Sequence, residues 1–154
     1  MLHVVLVEPE IPQNTGNIAR TCAATGCALH LVKPLGFSLE DRYLKRAGLD
    51  YWPLLELTVH ESFGAFWAVW GGKPFWLVST KGARPYTQAD LREDACLLFG
   101  RETAGLPGPL LAAHPDRCLR IPIRAEARSL NLSNSVAVVV FEAMRQRDFA
   151  GLAP

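Results

Sequence analysis

Short apolar runs alternate along this chain with stretches that repeat at helical spacing. Leu2–Val7 is apolar and rich in β-branched residues, and Glu8-Pro9 closes it, as expected of a buried strand. Comparable runs fall at Ala28–Val32, Leu54–Val59, Phe75–Ser79, Ala95–Phe99 and Cys118–Ile121. Between them the pattern predicts helices over Asn17–Thr25, Leu39–Ala47, Glu61–Trp70, Pro107–Ala113 and Ser133–Arg147. The first should follow a Pro12–Gly16 loop, take its cap from Asn14 or Thr15, and stop at Gly26. Most strand runs are apolar throughout rather than alternating. That is the signature of a mostly parallel sheet with helices on both faces, an α/β fold. No repeat, low-complexity tract or linker interrupts the chain, and residues 1–154 read as a single domain.

The last helix carries more apolar surface than one sheet can cover. Val136, Val139, Val140, Ala143 and Met144 form one stripe, while Val138 and Phe141 lie off it beside Glu142 and Arg145. A helix that is apolar around its circumference needs cover on a second side. A second subunit is the expected cover, with loops of the same chain as the alternative.

Composition narrows the function classes. The formal net charge is +1, so no global basic field announces a polyanion partner. Local clusters remain, Arg42 with Lys45 and Arg46, and Arg120 with Arg124 and Arg128; from charge alone they read as solvated surface. The four cysteines form no C-x-x-C pair and sit in or beside apolar runs, as small buried hydrophobes do. The four histidines (His3, His30, His60, His114) are scattered without ligand spacing, which argues against a metal site. No leader pattern or bilayer-length apolar run is present, so a cytoplasmic, membrane-free protein is expected.

Ligands of open parallel sheets bind beyond the carboxyl ends of the strands. Three loops there are polar and rich in Gly or Pro: Ser79-Thr80-Lys81-Gly82, Gly100 through Pro107, and Pro122 through Asn134. A fourth polar segment, Pro12–Arg20, follows the first strand. G-x-G-x-x-G, P-loop and G-x-S-x-G signatures are all absent, which argues against dinucleotide, NTPase and triad chemistry. Asn17, Arg20, Thr21 and Ala24 share a helix face that could grip an anion; from spacing alone an ordinary exposed face explains them as well. In Arg128-Ser129-Leu130-Asn131-Leu132-Ser133-Asn134 the polar residues alternate with leucines, so one side should be buried. Asn131 or Ser133 could cap the last helix, yet capping alone does not need so many amides and hydroxyls.

Taken together these segments resemble the SpoU class of SPOUT RNA methyltransferases. The first motif is Pro12-x-Asn14-Thr15-Gly16-Asn17-Ile18-x-Arg20 with Cys22-Ala23-x-Thr25-Gly26. The second is Phe99-Gly100-x-Glu102-x-x-Gly105-Leu106-Pro107. The third is Ile121-Pro122 with Arg128 through Ala137. Glu8 through Pro12, Arg46-Ala47-Gly48-Leu49-Asp50-Tyr51 and Thr80-Lys81-Gly82 resemble the minimal TrmL/YibK-like branch, the tRNA (cytidine/uridine-34 2′-O)-methyltransferases.

The resemblance implies a carboxyl-terminal trefoil knot, S-adenosyl-L-methionine as cofactor with S-adenosyl-L-homocysteine as product, and a homodimer formed through the first and last helices. It implies a tRNA anticodon stem-loop as substrate, with leucine tRNA the expected isoacceptor. Val78, Gly100, Ile121, Ser129 and Leu130 match cofactor-holding positions, mainly through backbone groups, and Ser79, Thr80 and Gly105 lie in the same loops. Arg20, Glu102 and Asn134 match the conserved polar positions assigned to catalysis. Asn14, Asn17, Arg42, Arg46, Arg124 and Arg128 are candidate substrate contacts. Phe141 departs from the pattern, because relatives often carry tyrosine there. A guanidinium stays protonated, so Arg20 is expected to orient a phosphate and stabilise developing negative charge, while the proton leaves through phosphate, water or Glu102. Two rivals are a non-catalytic RNA-binding dimer and a methyltransferase of this fold acting on another tRNA position or on rRNA.

Overall fold

The computed structural model describes residues 1–154, except that the side chains of residues 47–50 lie outside the description, and with them most of the Arg46–Tyr51 segment noted above. In chain order the elements are β1 (His3–Val7), α1 (Pro12–Thr25), β2 (Ala28–Val32), α2 (Arg42–Gly48), β3 (Leu57–His60), α3 (Phe63–Trp70), β4 (Phe75–Val78), β5 (Arg84–Pro85), β6 (Cys96–Phe99), α4 (Gly108–Ala113), β7 (Cys118–Arg120) and α5 (Leu132–Gln146). Short 3-10 turns occupy Leu49–Leu54, Tyr86–Gln88 and Pro115–Arg117.

The strands form one seven-stranded sheet in the order β3-β2-β1-β6-β4-β7-β5, and every paired strand runs parallel. Successive residues of a strand point to opposite faces, and both faces are covered. Val4, Leu6, Leu29, Leu31, Leu97 and Phe99 pack with Ile18 of α1 and Val136, Val139 and Val140 of α5. Val5, Val7, Val32, Leu77 and Leu98 pack with Phe66 of α3 and with Leu106 on the other face. This double burial is why the strand runs carry no polar alternation.

Several boundaries differ from the sequence pattern. Helix α1 begins at Pro12, so the expected Pro12–Gly16 loop is its first turn, and Asn14 and Thr15 are buried helical residues rather than caps. Proline is well suited to the first turn, where its missing N–H costs nothing. Ile11 at the cap position supplies no side-chain acceptor, whereas Gly26 ends the helix at φ 77° as expected. The strand predicted from Leu54 starts only at Leu57, because Pro53 and the 73% exposed Leu54 close a 3-10 turn. Strand β5 is two residues long and was not anticipated. The four cysteines are free and buried, as expected of small hydrophobes.

Three histidines that are scattered in sequence meet in space. Val5 pairs with His30 and Val32 with His60, so His3, His30 and His60 step diagonally across β1, β2 and β3 on one face. His3 Nδ1 lies 2.9 Å from His30 Nε2, and His30 Nδ1 lies 2.9 Å from His60 Nε2. Phe66 and Trp70 of α3 cover the rings. Burial lowers the pKa of all three, with that of His30 falling to about 4. The line is a structural seam that holds the imidazoles neutral. Among the described residues no cluster has the composition of a metal site.

Candidate functional site

The chain runs outward from β1 to β2 and β3 on one side, and its later strands build the other side. The order therefore reverses between β1 and β6, the place where open parallel sheets bind ligands. A cavity of about 530 Å³ opens on the β6 side of that reversal, beyond the carboxyl ends of β4, β6 and β7 and beside the start of α1. That volume lies in the range of small-molecule sites, roughly 300–1,000 Å³.

All eight residues expected to hold a cofactor line this cavity: Val78, Ser79 and Thr80 after β4, Gly100 and Gly105 after β6, and Ile121, Ser129 and Leu130 after β7. Phe99, Leu106 and Ile123 add apolar wall, and Lys81, missed as a site residue, adds a cation. Leu130 is 40% exposed rather than buried, so the alternating Ser129–Ser133 stretch turns a leucine into the cavity instead of the core.

The Gly100–Leu106 loop is folded tightly on itself. Arg101 and Gly105 exchange backbone hydrogen bonds in both directions, and Gly105 takes φ 67°. A Cβ on Gly100 would lie 2.0 Å from the Gly105 carbonyl carbon and 2.1 Å from the Leu106 nitrogen. Backbone cannot yield at that distance, so only glycine closes the loop. The result is a rim that brings main-chain polar groups to the cavity wall.

Glu102, expected at the chemistry, is committed to architecture. Its carboxylate accepts from the Glu10 N–H at 2.9 Å, the Ile11 N–H at 2.7 Å and the Asn14 amide at 3.4 Å. It thus anchors the two residues that lead into α1, and a negative charge beside a helix N-terminus is favourable. Asn131 donates to Asn14 at 3.1 Å and caps α5 by accepting from the Ser133 and Asn134 N–H groups. Asn14, 6% exposed and on the cavity wall, joins Glu102 to Asn131 through its amide. Glu10 completes the cross-tie by accepting from the Thr103 hydroxyl and N–H, which hold its carboxyl below the usual range. The α1 and α5 N-termini and the Gly100–Leu106 loop are therefore one hydrogen-bonded unit. Asn131 and Glu10 were not among the expected site residues, although Asn131 was expected as a possible cap of the last helix, the role it has here.

Other expected residues fall elsewhere in the single chain. Six residues separate Arg20 from Asn14, about 9 Å along α1 and about 120° around it. Arg20 is exposed outside the cavity lining, and its guanidinium lies 4.8 Å from the Tyr51 ring centroid. Asn17 is also exposed and outside it. Asn134 lies on the α5 face opposite the buried stripe, seven residues before the 46% exposed Phe141. Arg42 donates to the Tyr43 hydroxyl, Arg46 is exposed, and Arg124 lies 3.7 Å from Glu126. Of the candidate substrate cations only Arg128 reaches the cavity.

Comparison with known proteins gives consistent likenesses. The family model described as the SpoU rRNA Methylase family matches residues 1–141. The tRNA (cytidine(34)-2′-O)-methyltransferase of Methylovorus glucosotrophus is 50% identical over 152 residues, covering 98% of this chain and 99% of its own. A solved structure described as giving insights into the 2-OH methylation of C/U34 on tRNA is 49% identical, with a TM-score of 0.91 over 97% of both chains. The SpoU methyltransferase AviRb from Streptomyces viridochromogenes, solved with its cofactor AdoMet, is 28% identical at a TM-score of 0.81, covering 97% of this chain and 62% of its own.

Proposed function

We propose a reaction from one premise: this chain belongs to the SpoU methylase family. It is an S-adenosylmethionine-dependent methyltransferase that modifies the 2′-hydroxyl of the wobble ribose, position 34, of tRNA. The observation that carries the reading is the cavity at the sheet's switch point, lined by every residue matched to a cofactor position. Relatives near 50% identity over nearly the whole chain are named for this activity.

The lining fits the methyl donor. Phe99, Leu106, Ile121 and Leu130 offer apolar surface for an adenine, and Ser79, Thr80 and Ser129 offer hydroxyls. The loop that glycine alone can close at Gly100 offers backbone groups. When bound, S-adenosylmethionine supplies an electrophilic methyl carbon on a sulfonium, which the ribose oxygen takes as it loses its proton.

The chain's own groups then divide the work. Glu102 has both carboxylate oxygens engaged by the backbone N–H groups of Glu10 and Ile11, so it positions the rim and leaves the proton to the target phosphate or a water. Arg20 orients the phosphate and stabilises the negative charge that develops on the ribose oxygen. Arg20 and Asn134 face away from the cavity of their own chain, and α5 leaves Phe141 exposed. These placements support a homodimer built on α1 and α5, in which each copy presents Arg20 to the other's cavity. A knot in the carboxyl-terminal part belongs to the same proposal. It is supported by the loop after β4, where Gly82 packs against the Leu119–Arg120 backbone so closely that a Cβ would lie 2.7 Å from it. The proposal also takes residues 1–154 as one domain working in the cytoplasm. No described helix is long and apolar enough to cross a membrane.

The decisive experiment is methyl transfer from labelled S-adenosylmethionine to unmodified anticodon-loop tRNA, with the product nucleotide mapped. Label on the ribose of nucleotide 34 is expected. Label on a base or at another ribose overturns the substrate assignment.

A further inference from the structure

Arg20 lies over an aromatic ring, and among the described residues no carboxylate engages it. Its guanidinium carbon lies over the Tyr51 ring, 4.8 Å from the centroid, and among the described residues it has no hydrogen bond or ion pair. Some other arginines have their edges engaged, while Arg84 and Arg117 likewise lie over an aromatic ring, that of Trp76. Arg92, Arg124 and Arg145 meet carboxylates, and Arg147 donates to the Leu91 and Glu93 carbonyls. A guanidinium carries its five N–H donors in one plane. A carboxylate partner would take that edge, whereas an aromatic face takes only the flat side of the cation. Contact with the ring face therefore steadies the cation and need consume no donor.

Tyr51 is placed for this by the fold. It sits in the 3-10 turn Leu49–Leu54, which runs against α1, and its ring is half-buried. Pro53 in the same turn restricts the backbone two residues on. An arginine on an open helix face has many rotamers, and ordering it at the moment of reaction opposes catalysis.

We propose that Tyr51 is a positioning residue for methyl transfer: its ring presets the Arg20 guanidinium so that the whole in-plane fork meets the substrate phosphate and ribose oxygens. The assignment rests on the reading of Arg20 given above and deepens it. Tyr51 itself touches neither donor nor acceptor, so its effect passes through Arg20 alone.

The test is a double-mutant cycle on the single-turnover rate at saturating tRNA and cofactor. Tyr51→Leu is expected to slow the step about fivefold to tenfold, the scale of a lost cation–π contact. Tyr51→Phe keeps the ring and should restore the rate to within about twofold. Tyr51→Met, bulky without a ring, should match Tyr51→Leu. Cofactor Kd and melting temperature stay at wild-type values wherever the variant is folded, and the methionine variant carries the test if the leucine variant is not. In an Arg20→Ala background Tyr51→Leu should have no further effect, because residues acting as one unit are not additive. An unchanged rate in both ring-less variants, a failure of phenylalanine to rescue, or a full further loss in the Arg20→Ala background overturns the assignment of Tyr51. A wild-type chain that leaves ribose 34 unmethylated overturns the proposed function, and this assignment with it.

Discussion

Replacing Glu102 by alanine separates a scaffold from a proton acceptor. The carboxylate holds two backbone N–H groups at the start of α1, at 2.9 and 2.7 Å, and a weaker amide contact at 3.4 Å. Hydrogen bonds to a charged group contribute about 1.5–3 kcal/mol each when nothing replaces them. Ile11 is 41% exposed, so water can replace much of its bond, while the part-buried Glu10 contact is harder to hydrate. Adding about 0.5 kcal/mol for the helix dipole gives an expected destabilisation of about 2–3 kcal/mol. For a chain of this size that lowers Tm by about 4–12 °C. Glu102→Gln keeps one acceptor oxygen and should lose roughly half as much. The assay is thermal unfolding by circular dichroism, paired with single-turnover methyl transfer across pH. If Glu102 only positions the rim, residual transfer keeps the wild-type pH dependence. A variant of wild-type Tm whose rate collapses and whose alkaline-side pH profile changes would refute the reasoning, because that is how a general base behaves.

Gly100→Ala should abolish binding of S-adenosylmethionine by isothermal titration, since a Cβ 2.0 Å from the Gly105 backbone must open the loop; a Kd within twofold of wild type would contradict the packing. The histidine seam predicts acid sensitivity. Burial lowers the folded-state pKa of His30 from 6.5 to about 4, so between those values the unfolded chain binds more protons and stability falls as pH falls. Above pH 6.5 the seam's contribution is complete, and His30→Leu should flatten the fall in Tm between pH 6.5 and 4 by removing a term of up to about 3 kcal/mol. Phe141→Asp places a charge on the uncovered α5 face and should yield monomers in sedimentation that have lost methyl transfer; an active monomer would contradict the shared site.

The element order, the parallel sheet and the carboxyl-end loops were legible because they follow from short-range chemistry. Apolar runs without alternation must be covered on both faces, and glycine and proline mark where they end. The cavity wall was legible in part: its three loops could be read from the strand ends, while Gly100, Gly105, Ser129 and Leu130 were singled out through the resemblance of the motifs. The exposed Phe141 was legible too, since a helix apolar all round has more surface than one sheet can bury.

What only the tertiary structure decided are contacts between residues far apart in the chain. The true start of α1 depends on Glu102, about ninety positions away, so no local cap could reveal it. The histidine seam needs the register of three strands, and Asn14 became a strut because folding set Asn131 beside it. Arg20 looked like any exposed helix cation until folding laid Tyr51 under it. Local pattern fixes which segments can pair and where the chain turns. Which polar groups find each other is settled only when long-range packing brings them within hydrogen-bond reach, and the role of a side chain changes with its partner.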